Sequence, residues 1–397
     1  MGAVGVRASG LTPETLLAEA RRVSAQVAAL HAKDVDAAAR FPVESISAMR
    51  DVGLLGAMVP ETYGGAGIGP ATMARAIEII GESCATSGMI LAMHQIQVAC
   101  LVEYASTGWL EEFLAGPVAA GALLASATSE LGIGGDIRRS RCALTGTGAT
   151  SSLMKEASVI SYGEHSDAIL ATARRSEDAP SHDQVLVVVP VTGGTLERVS
   201  EWDSLGFRGT CSHGYVLRAD VSHEQIVGDA FVTVLGRTML PTSHIFWASL
   251  WTGMATGALK TARSYLKAQA RAKSDGDTPM GAARLAHAVA TLQQLRRHVR
   301  FEASDYERRG SDPASKDRLD YQTRINSLKV VASETLVRLV QDALLVCGMA
   351  GYRNDSRYSL GRVLRDSLGA VVQINNERLL GATAQALLIT GGGLDDD

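Results

Sequence analysis

A short polar segment, ATSELGIGGD at residues 127–136, carries side chains and glycines suited to holding a charged or heterocyclic ligand. It combines the hydroxyl of Ser129 with a glycine turn at Gly134 and Gly135 and the carboxylate of Asp136. Hydroxyls and free backbone N–H groups can bind the polar edge of a heterocycle or a phosphate. The same composition is also typical of a plain strand-to-turn connection, so the segment alone does not decide between a ligand site and a turn.

Several other patterns of catalytic residues are missing from the sequence. GGAGIG at 64–69 is rich enough in glycine for a dinucleotide loop, but it follows no predicted strand, so we predict a connector between helices. The sequence contains neither a GxxxxGK[ST] phosphate loop nor a GxSxG nucleophile motif. Its nine histidines never have metal-ligand spacing, so we expect no metal site.

Composition and charge narrow the class of protein. The chain has 397 residues, of which 46% are hydrophobic and 20% charged, which is typical of a globular protein of two or three domains. A net charge of -4 gives no reason to expect nucleic acid or an anionic membrane surface as a partner. The five cysteines form no CxxC pair, and we find neither a signal peptide nor an apolar stretch of membrane-spanning length. We expect a cytoplasmic protein with no membrane span and with reduced, buried thiols.

The pattern of residues changes twice along the chain and predicts three domains of an α+β protein. Residues 1–120 carry helix signals, including a Thr-Pro-Glu helix start at Thr12 and one long apolar helix over 71–106. Residues 121–235 consist of short β-branched runs separated by turn residues, which indicates an antiparallel sheet or small barrel. Helical periodicity returns in residues 236–397. One predicted helix face there consists of Ile325, Leu328, Ala332, Leu336, Leu339 and Ala343.

Seven motifs in the same order resemble those of the acyl-CoA dehydrogenase superfamily, and together they cover nearly the whole chain. They are FPVESISAMRDVGLLGAMVPETYGGAGI at 41–68, TSELGIGGD at 128–136, VISYG at 159–163, LGFRGTCS at 205–212, QARAKSDGDTP at 269–279, CGMAGY at 347–352 and the pair Arg365-Asp366. The resemblance implies an N-terminal helical domain, a middle β domain that is barrel-like, and a C-terminal four-helix bundle. It also implies FAD between the β domain and the bundle, in a homotetramer or homodimer with FAD at a subunit contact.

The resemblance further implies which residues bind the cofactor. They are Ser129, Gly134, Gly135, Ser161, Arg271 and Gly348. The hydroxyls of Ser129 and Ser161 would bond the edge of the flavin ring, whose buried N–H and C=O groups need partners. Arg271 would reach the pyrophosphate of a neighbouring subunit's FAD with its planar, bidentate guanidinium. Two positions depart from the family pattern: Val159 replaces a tryptophan, and the Phe-Gly that follows the family arginine is lost.

A third departure affects the chemistry itself. Dehydrogenases of this family remove the α-proton of an acyl thioester with a glutamate and pass the β-hydride to flavin N5. That glutamate would lie eight residues after Asp366, where this chain has Ile374, and an isoleucine cannot accept a proton. The alternative position known in the family is on the first bundle helix, and MLPTSHIFWASLWTGMATGA at 239–258 contains no carboxylate.

Three residues could supply a replacement base. Glu377 follows Ile374 by three residues, although an acid there is also ordinary at a helix start. His94 lies on the helix that would border the acyl cavity, where an imidazole of near-neutral pKa could act as a base or simply pack in the core. His244 would lie near the N-terminal end of the bundle helix that faces the flavin.

Three functional hypotheses remain open from the sequence. The first is FAD-dependent α,β-dehydrogenation of an acyl thioester, on CoA or a carrier protein, using His94 or Glu377 as the base and passing electrons to an acceptor. The second is a two-component flavin monooxygenase or N-oxygenase fed by a flavin reductase, because such relatives of the fold remove no α-proton. The third is a subunit without flavin, which the retained TSELGIGGD segment and Arg271 argue against.

Overall fold

The computed structural model describes residues 10–146, 148–272 and 278–389. Its N-terminal part consists of the helices α1 (Pro13–Val23), α2 (Ala29–Ala37), α3 (Val43–Asp51), α4 (Pro70–Ser83), α5 (Ala85–Tyr104) and α6 (Gly108–Phe113). The first helix begins as predicted, because Thr12 and Thr15 cap each other's backbone N–H groups through their side chains. Helix α3 ends just before Gly53, whose φ of 73° lies in the left-handed region that favours glycine.

The predicted single helix over 71–106 was wrong in one respect, because it is broken at Cys84. The backbone of Cys84 is extended, with φ -143° and ψ 108°, so α4 ends before it and α5 begins after it. Contrary to our expectation, α5 is long and apolar enough to cross a membrane by length and composition. Since 89% of its most apolar window is buried inside the protein, α5 is a core helix.

The middle part of the chain forms two four-stranded sheets. Its strands are β1 (Leu124–Ala127), β2 (Leu144–Thr145), β3 (Thr150–Ala157), β4 (Ala168–Arg174), β5 (Gln184–Pro190), β6 (Gly194–Ser200), β7 (Gly214–Ser222) and β8 (Ile226–Val227). The first sheet has the order β1-β4-β5-β8 and the second β2-β3-β7-β6. Pairing is antiparallel as predicted, except that β1 and β4 run parallel. Strand β3 alternates between exposed and buried residues, which is expected where one face of a sheet covers the core.

The C-terminal part is helical again. Its helices are α7 (Phe231–Val234), α8 (Leu240–Ala272), α9 (Ala282–Arg308), α10 (Leu319–Cys347), α11 (Met349–Tyr352), α12 (Gly361–Val372) and α13 (Asn376–Leu387). Helix α8 packs against both α9 and α10, and α12 and α13 pack on α10. All six residues of the predicted apolar face of α10 are buried. The domain boundaries predicted near residues 120 and 235 stay a prediction, although they fall between elements of different type.

One continuous apolar core joins the three parts. It includes buried side chains from α1 and α5, from β4 and β5, and from α8 and α10. Because the parts share this core, the loops at their junctions are held in fixed positions relative to one another.

Candidate functional site

The two hydroxyl-bearing segments predicted to meet at one site do lie together. The Ser129 hydroxyl donates to the carbonyl of Val159 over 2.8 Å, and the N–H of Val159 donates back to Ser129 Oγ over 3.3 Å. Ser129 follows the end of β1, whereas Val159 and Ser161 follow the end of β3. These contacts therefore hold the 128–136 segment beside the 159–163 segment, at the ends of strands from both sheets.

A chain of three hydroxyls runs inward from Ser161. The Oγ atoms of Ser161 and Ser212 are 2.8 Å apart, and Ser212 Oγ lies 2.8 Å from Thr210 Oγ1. Thr210 Oγ1 lies 2.9 Å from the carbonyl oxygen of Phe207, to which it can donate. Ser212 and Thr210 are buried, whereas Ser161 is half-buried and forms the outer end. From the sequence, LGFRGTCS was only a family motif, and the contribution of Thr210 and Ser212 was not predicted.

Asp366 ties the helical C-terminal part to the same segment. Its Oδ1 accepts a hydrogen bond of 2.6 Å from the N–H of Phe207. Burial raises the pKa of Asp366 to about 6, although this hydrogen bond acts in the opposite direction. Gly206, which precedes Phe207, has no room for a side chain, since a Cβ there would lie 2.5 Å from the carbonyl oxygen of Arg365. The turn at 205–207 and helix α12 thus meet backbone to backbone.

The predicted glycine turn is exposed and held by the C-terminal part of the chain. Gly134 and Gly135 have φ values of 59° and 73°, in the left-handed region that glycine tolerates. Arg378, in the first turn of α13, donates to the carbonyl of Gly134 over 2.7 Å and also to the carbonyl of Gly135. The turn and α13 therefore form one unit.

A buried ion pair between Glu130 and Lys155 joins the 128–136 segment to β3. Glu130 Oε2 lies 3.1 Å from Lys155 Nζ, and Oε1 accepts from the N–H groups of Arg141 and Cys142. Lys155 also donates to the carbonyl of Thr172 over 2.8 Å. Burial alone would raise the pKa of Glu130, but Lys155 and these hydrogen bonds keep that pKa below its usual range. Because both charges are fully bonded, we assign the pair to structure rather than to chemistry.

Ile374, at the expected position of the base, is held in an unusual conformation. Its φ of 51° is in the left-handed region, which is rare for a β-branched residue. Lys329 Nζ donates to the Ile374 carbonyl over 2.6 Å and to Asn376 Oδ1 over 2.7 Å. Lys329 is fully buried, and burial lowers its pKa to about 8. Lys329 was not predicted as a site residue, although a lysine beside Leu328 on the apolar face of α10 was a signal in the sequence.

The structure gives His94 a different environment from the one expected for a base. The N–H of Leu124 donates to its Nδ1 over 3.0 Å, so its Nε2 donates to the carbonyl of Leu55, also over 3.0 Å. The ring is fully buried, and burial lowers its pKa to about 4. With both nitrogens bonded to backbone, His94 has no free lone pair that could accept a proton, which argues against its predicted role.

His244 and Glu377 differ from His94 because each keeps free acceptor capacity. His244 donates from Nδ1 to the carbonyl of Ile325 over 3.1 Å, and its Nε2 is buried without a partner. Burial lowers the pKa of His244 to about 3. Glu377 is exposed in the first turn of α13, where its N–H donates to the Asn375 side chain, and within the described ranges its carboxylate has no hydrogen-bond or ion-pair partner.

Arg271 and Gly348 lie at the ends of two helices, away from these hydroxyls. No hydrogen bond within the described parts of the chain joins either residue to Ser129 or Ser161. Gly348 ends α10 with φ 55° and ψ -138°, a conformation that favours glycine. Arg271 ends α8 and is exposed, and the Ser-Asp that stands in place of the family's Phe-Gly lies outside the described residues.

A basic pocket surrounds Arg271. It has a volume of about 600 Å³, and its cationic side chains are Lys260, Lys267, Arg271 and Arg357. Several cations around one hollow suit a polyphosphate, which needs both charge and bidentate donors. By contrast, no three His, Cys, Asp or Glu side chains in residues 10–146, 148–272 and 278–389 are grouped so that they could hold a metal ion.

Two protein-family models match this chain. The model of the acyl-CoA dehydrogenase N-terminal domain matches residues 12–121, and that of the C-terminal domain matches residues 237–372. This chain belongs to the acyl-CoA dehydrogenase superfamily. The resemblance inferred from the seven motifs is thereby confirmed, as are the fold class and the assignment to flavoprotein oxidoreductases.

Proteins similar to this acyl-CoA dehydrogenase superfamily member include named dehydrogenases, and its fold is shared by a named monooxygenase. A probable acyl-CoA dehydrogenase of Bacillus subtilis is 26% identical over 350 residues, which is 85% of this chain and 87% of the relative. The structure of butyryl-CoA dehydrogenase from Megasphaera elsdenii has a TM-score of 0.81 at 21% identity, over 96% of this chain and 99% of that one. A dibenzothiophene monooxygenase from a Paenibacillus species has a TM-score of 0.79 at 19% identity, over 92% and 95%. Both structural likenesses bear on the fold alone.

Proposed function

We propose that this protein uses FAD to dehydrogenate an acyl thioester between Cα and Cβ. The observation that carries the proposal is the pairing of Ser129 with Val159, which brings both predicted flavin-binding segments to one edge of the β region. Family membership supports the same chemistry. When bound there, FAD supplies the acceptor for the hydride. The thioester would be carried by CoA or by a carrier protein.

The residues present fit FAD at two separate places. At the ring, Ser161 offers a half-buried hydroxyl, and the exposed turn at Gly134 and Gly135 lies on the neighbouring segment. At the pyrophosphate, the basic pocket around Arg271 offers charge and a bidentate donor. Since the two places belong to different parts of one chain, we propose a homodimer or homotetramer in which Arg271 completes a neighbouring subunit's site.

The proton step is the least ordinary part of the proposed reaction. Among the residues predicted for it, His94 has both ring nitrogens bonded, so Glu377 is the first candidate and His244 the second. Glu377 lies three residues after Ile374, in the first turn of α13, and among the described residues its carboxylate has no hydrogen-bond or ion-pair partner. A base must come within hydrogen-bond reach of the proton it removes, so this role requires the bound substrate to bring its Cα to the start of α13.

A two-component flavin monooxygenase is the alternative function. Two observations favour it: Ile374 cannot take a proton, and His94 has no free nitrogen with which to replace the missing glutamate. Such an enzyme would need a separate flavin reductase as its partner instead of an electron acceptor. A cytoplasmic location fits either function and stays a prediction.

An anaerobic titration tests the proposed function. The purified protein would be mixed, without oxygen, with acyl-CoA thioesters of several chain lengths while the visible absorbance of its flavin is recorded. Bleaching by a thioester is the expected result, and Glu377→Gln should then slow the bleaching if Glu377 is the base. A bound flavin that no thioester bleaches, but that consumes oxygen once a reductase has reduced it, would favour the monooxygenase.

A further inference from the structure

The hydroxyl chain runs from Ser161 through Ser212 and Thr210 to the Phe207 carbonyl, and this carbonyl does not fix the direction in which the three hydroxyl hydrogens point. The carbonyl of Phe207 already accepts from the N–H of Thr210 over 3.0 Å and from Nε1 of Trp202 over 3.1 Å. The Thr210 hydroxyl adds a third donor at 2.9 Å. If that hydroxyl turned away, the Phe207 carbonyl would still be satisfied, so Thr210 can donate in either direction.

The chain can therefore adopt two hydrogen-bonded states with the same heavy-atom positions. Each hydroxyl has one hydrogen and can also accept. In the inward state Ser161 donates to Ser212, Ser212 donates to Thr210, and Thr210 donates to Phe207, so the outer side of Ser161 is an acceptor. In the outward state Thr210 donates to Ser212 and Ser212 donates to Ser161, so Ser161 offers its hydrogen to whatever lies outside. The distances of 2.8 Å along the chain suit both states.

We infer that Ser212 and Thr210 are positioning residues, which let the Ser161 hydroxyl donate to oxidised FAD and accept from reduced FAD. The inference rests on the proposed function. The N5 atom of a flavin ring accepts a hydrogen bond when oxidised and carries an N–H after two-electron reduction. The outward state of the chain matches the first form and the inward state the second. Three O–H bonds rotate between the two states, and no proton is gained or lost by the chain.

Burial makes this arrangement different from a single serine at a wet surface. Thr210 and Ser212 are 2% and 6% exposed, so water has little access to their hydroxyls. In such surroundings an unbonded hydroxyl is costly, and hydrogen bonds along a chain strengthen one another. The inner end is also rigid, because the N–H of Phe207 bonds to Asp366 over 2.6 Å. The state of Thr210 is thereby transmitted to Ser161 through direct hydrogen bonds.

The reduction potential of the bound flavin tests this inference. In Thr210→Val the Ser212 hydroxyl loses its inward acceptor, so the inward state, which serves reduced flavin, is weakened relative to the outward state. We expect reduced FAD to bind about tenfold more weakly relative to oxidised FAD, which corresponds to a potential about 30 mV lower for a two-electron couple. Ser212→Ala breaks the chain at its centre and should shift the potential in the same direction. Thr210→Ser keeps the hydroxyl and should restore the wild-type value.

Thr252→Val is the matched control. Thr252 is also buried and donates to a backbone carbonyl, that of Ala248, over 2.8 Å within α8. Circular dichroism would verify that each variant is folded. If wild-type protein binds flavin and neither Thr210→Val nor Ser212→Ala shifts the potential more than Thr252→Val does, the inference is overturned while the proposed function stands. A wild-type protein that binds neither oxidised nor reduced flavin would overturn both.

Discussion

At the scale of single residues, His94 shows how a candidate base can instead be a cross-link. Its ring joins α5 to the carbonyl of Leu55 and to the N–H of Leu124 at the start of β1. The neighbouring Gln95 strengthens this junction by donating to the carbonyls of Leu54 and Leu55. These bonds require a neutral imidazole, so protonation of His94 would remove one of them.

The stability of the protein should therefore fall in mild acid. Burial lowers the pKa of His94 to about 4 and that of His244 to about 3, against about 6.5 in an unfolded chain. Between these values the unfolded state binds protons that the folded state does not, so the stabilisation is complete above about pH 6.5 and is lost as the pH falls toward 4. Urea unfolding at pH 7.5, 6 and 5 would measure this dependence.

A variant pair isolates the contribution of His94 to that pH dependence. His94→Gln removes the titrating ring, so the free energy of unfolding should depend less steeply on pH than in wild type, by up to one proton. At pH 7.5 the variant should be less stable by about 1–3 kcal/mol, because a backbone group loses its partner. His287→Gln alters an exposed histidine of α9 and should leave both quantities unchanged. Equal pH slopes in all three proteins would contradict the cross-link.

The sequence could identify His94 as a functional candidate but could not distinguish a base from a cross-link. That distinction depends on Leu55 and Leu124, which are far from His94 in sequence and are bonded to it only in the folded chain. The proximity of the segments that carry Ser129 and Ser161 was easier to predict, because each lies in a motif whose order along the chain is informative, whereas their role in binding flavin stays a prediction. The buried partners Thr210 and Ser212 needed the structure, since their hydroxyls matter only through the 2.8 Å contacts that join them.

At the scale of elements, the turn between α12 and α13 is held by a buried amine. Lys329 donates to the carbonyl of Ile374 and to the side chain of Asn376. Burial of a lysine ammonium costs free energy, because the charge loses its hydration. An apolar replacement would stabilise the fold if it left no hydrogen-bond acceptor without a donor. Here the Ile374 carbonyl would lose its donor, and Asn376 Oδ1 would keep only the 3.3 Å contact with Ser333 Oγ, so we expect the replacement to be destabilising.

Lys329→Met should destabilise this turn more than the rest of the fold. We expect a loss of about 1–3 kcal/mol, because the Ile374 carbonyl and Asn376 Oδ1 both lose a charged donor, together with faster hydrogen exchange at the first backbone amides of α13. Lys33→Met changes an exposed lysine of α2 and serves as the control for the substitution itself. Unaltered exchange in α13 of the Lys329 variant would refute the holding role.

Elements with local signals were predictable, and elements that depend on distant partners were not. The caps of α1 and the apolar face of α10 followed directly from residue order. The break between α4 and α5 could not be predicted in this way, because the residue at the break is Cys84 rather than a glycine or a proline. The parallel pairing of β1 with β4 joins Leu124–Ala127 to residues of 168–174, a separation that no short pattern in the sequence encodes.

At the scale of the whole molecule, exposed apolar side chains on the C-terminal helices bear on the proposed homo-oligomer. Among them are Leu345, Met349, Tyr352 and Val372, at 64%, 68%, 70% and 69% exposure. A second copy of the chain that covered these side chains would remove apolar surface from water. The order of motifs could predict the three-part fold, but it could not tell which surface a second copy covers, because that depends on side chains from both chains.

Arg271→Ala should weaken flavin retention without unfolding the protein. Loss of a charge-assisted contact to phosphate is worth about 1.5–3 kcal/mol, so FAD affinity should fall about tenfold or more. The ratio of flavin to protein after gel filtration would measure this, with the oligomeric state read from the same column. Arg263→Ala, at an exposed site on the same helix outside the basic pocket, is the control. Full retention of FAD in the Arg271 variant would exclude this residue from the cofactor site.

The hydrogen bonds from Arg378 to the glycine turn at Gly134 and Gly135 couple the position of that turn to the position of α13. Helix α13 carries Arg378 in its first turn, and the guanidinium donates hydrogen bonds to the carbonyls of Gly134 and Gly135. A substitution that displaces the first turn of α13 would therefore also displace the glycine turn, although more than 240 residues of sequence separate the two.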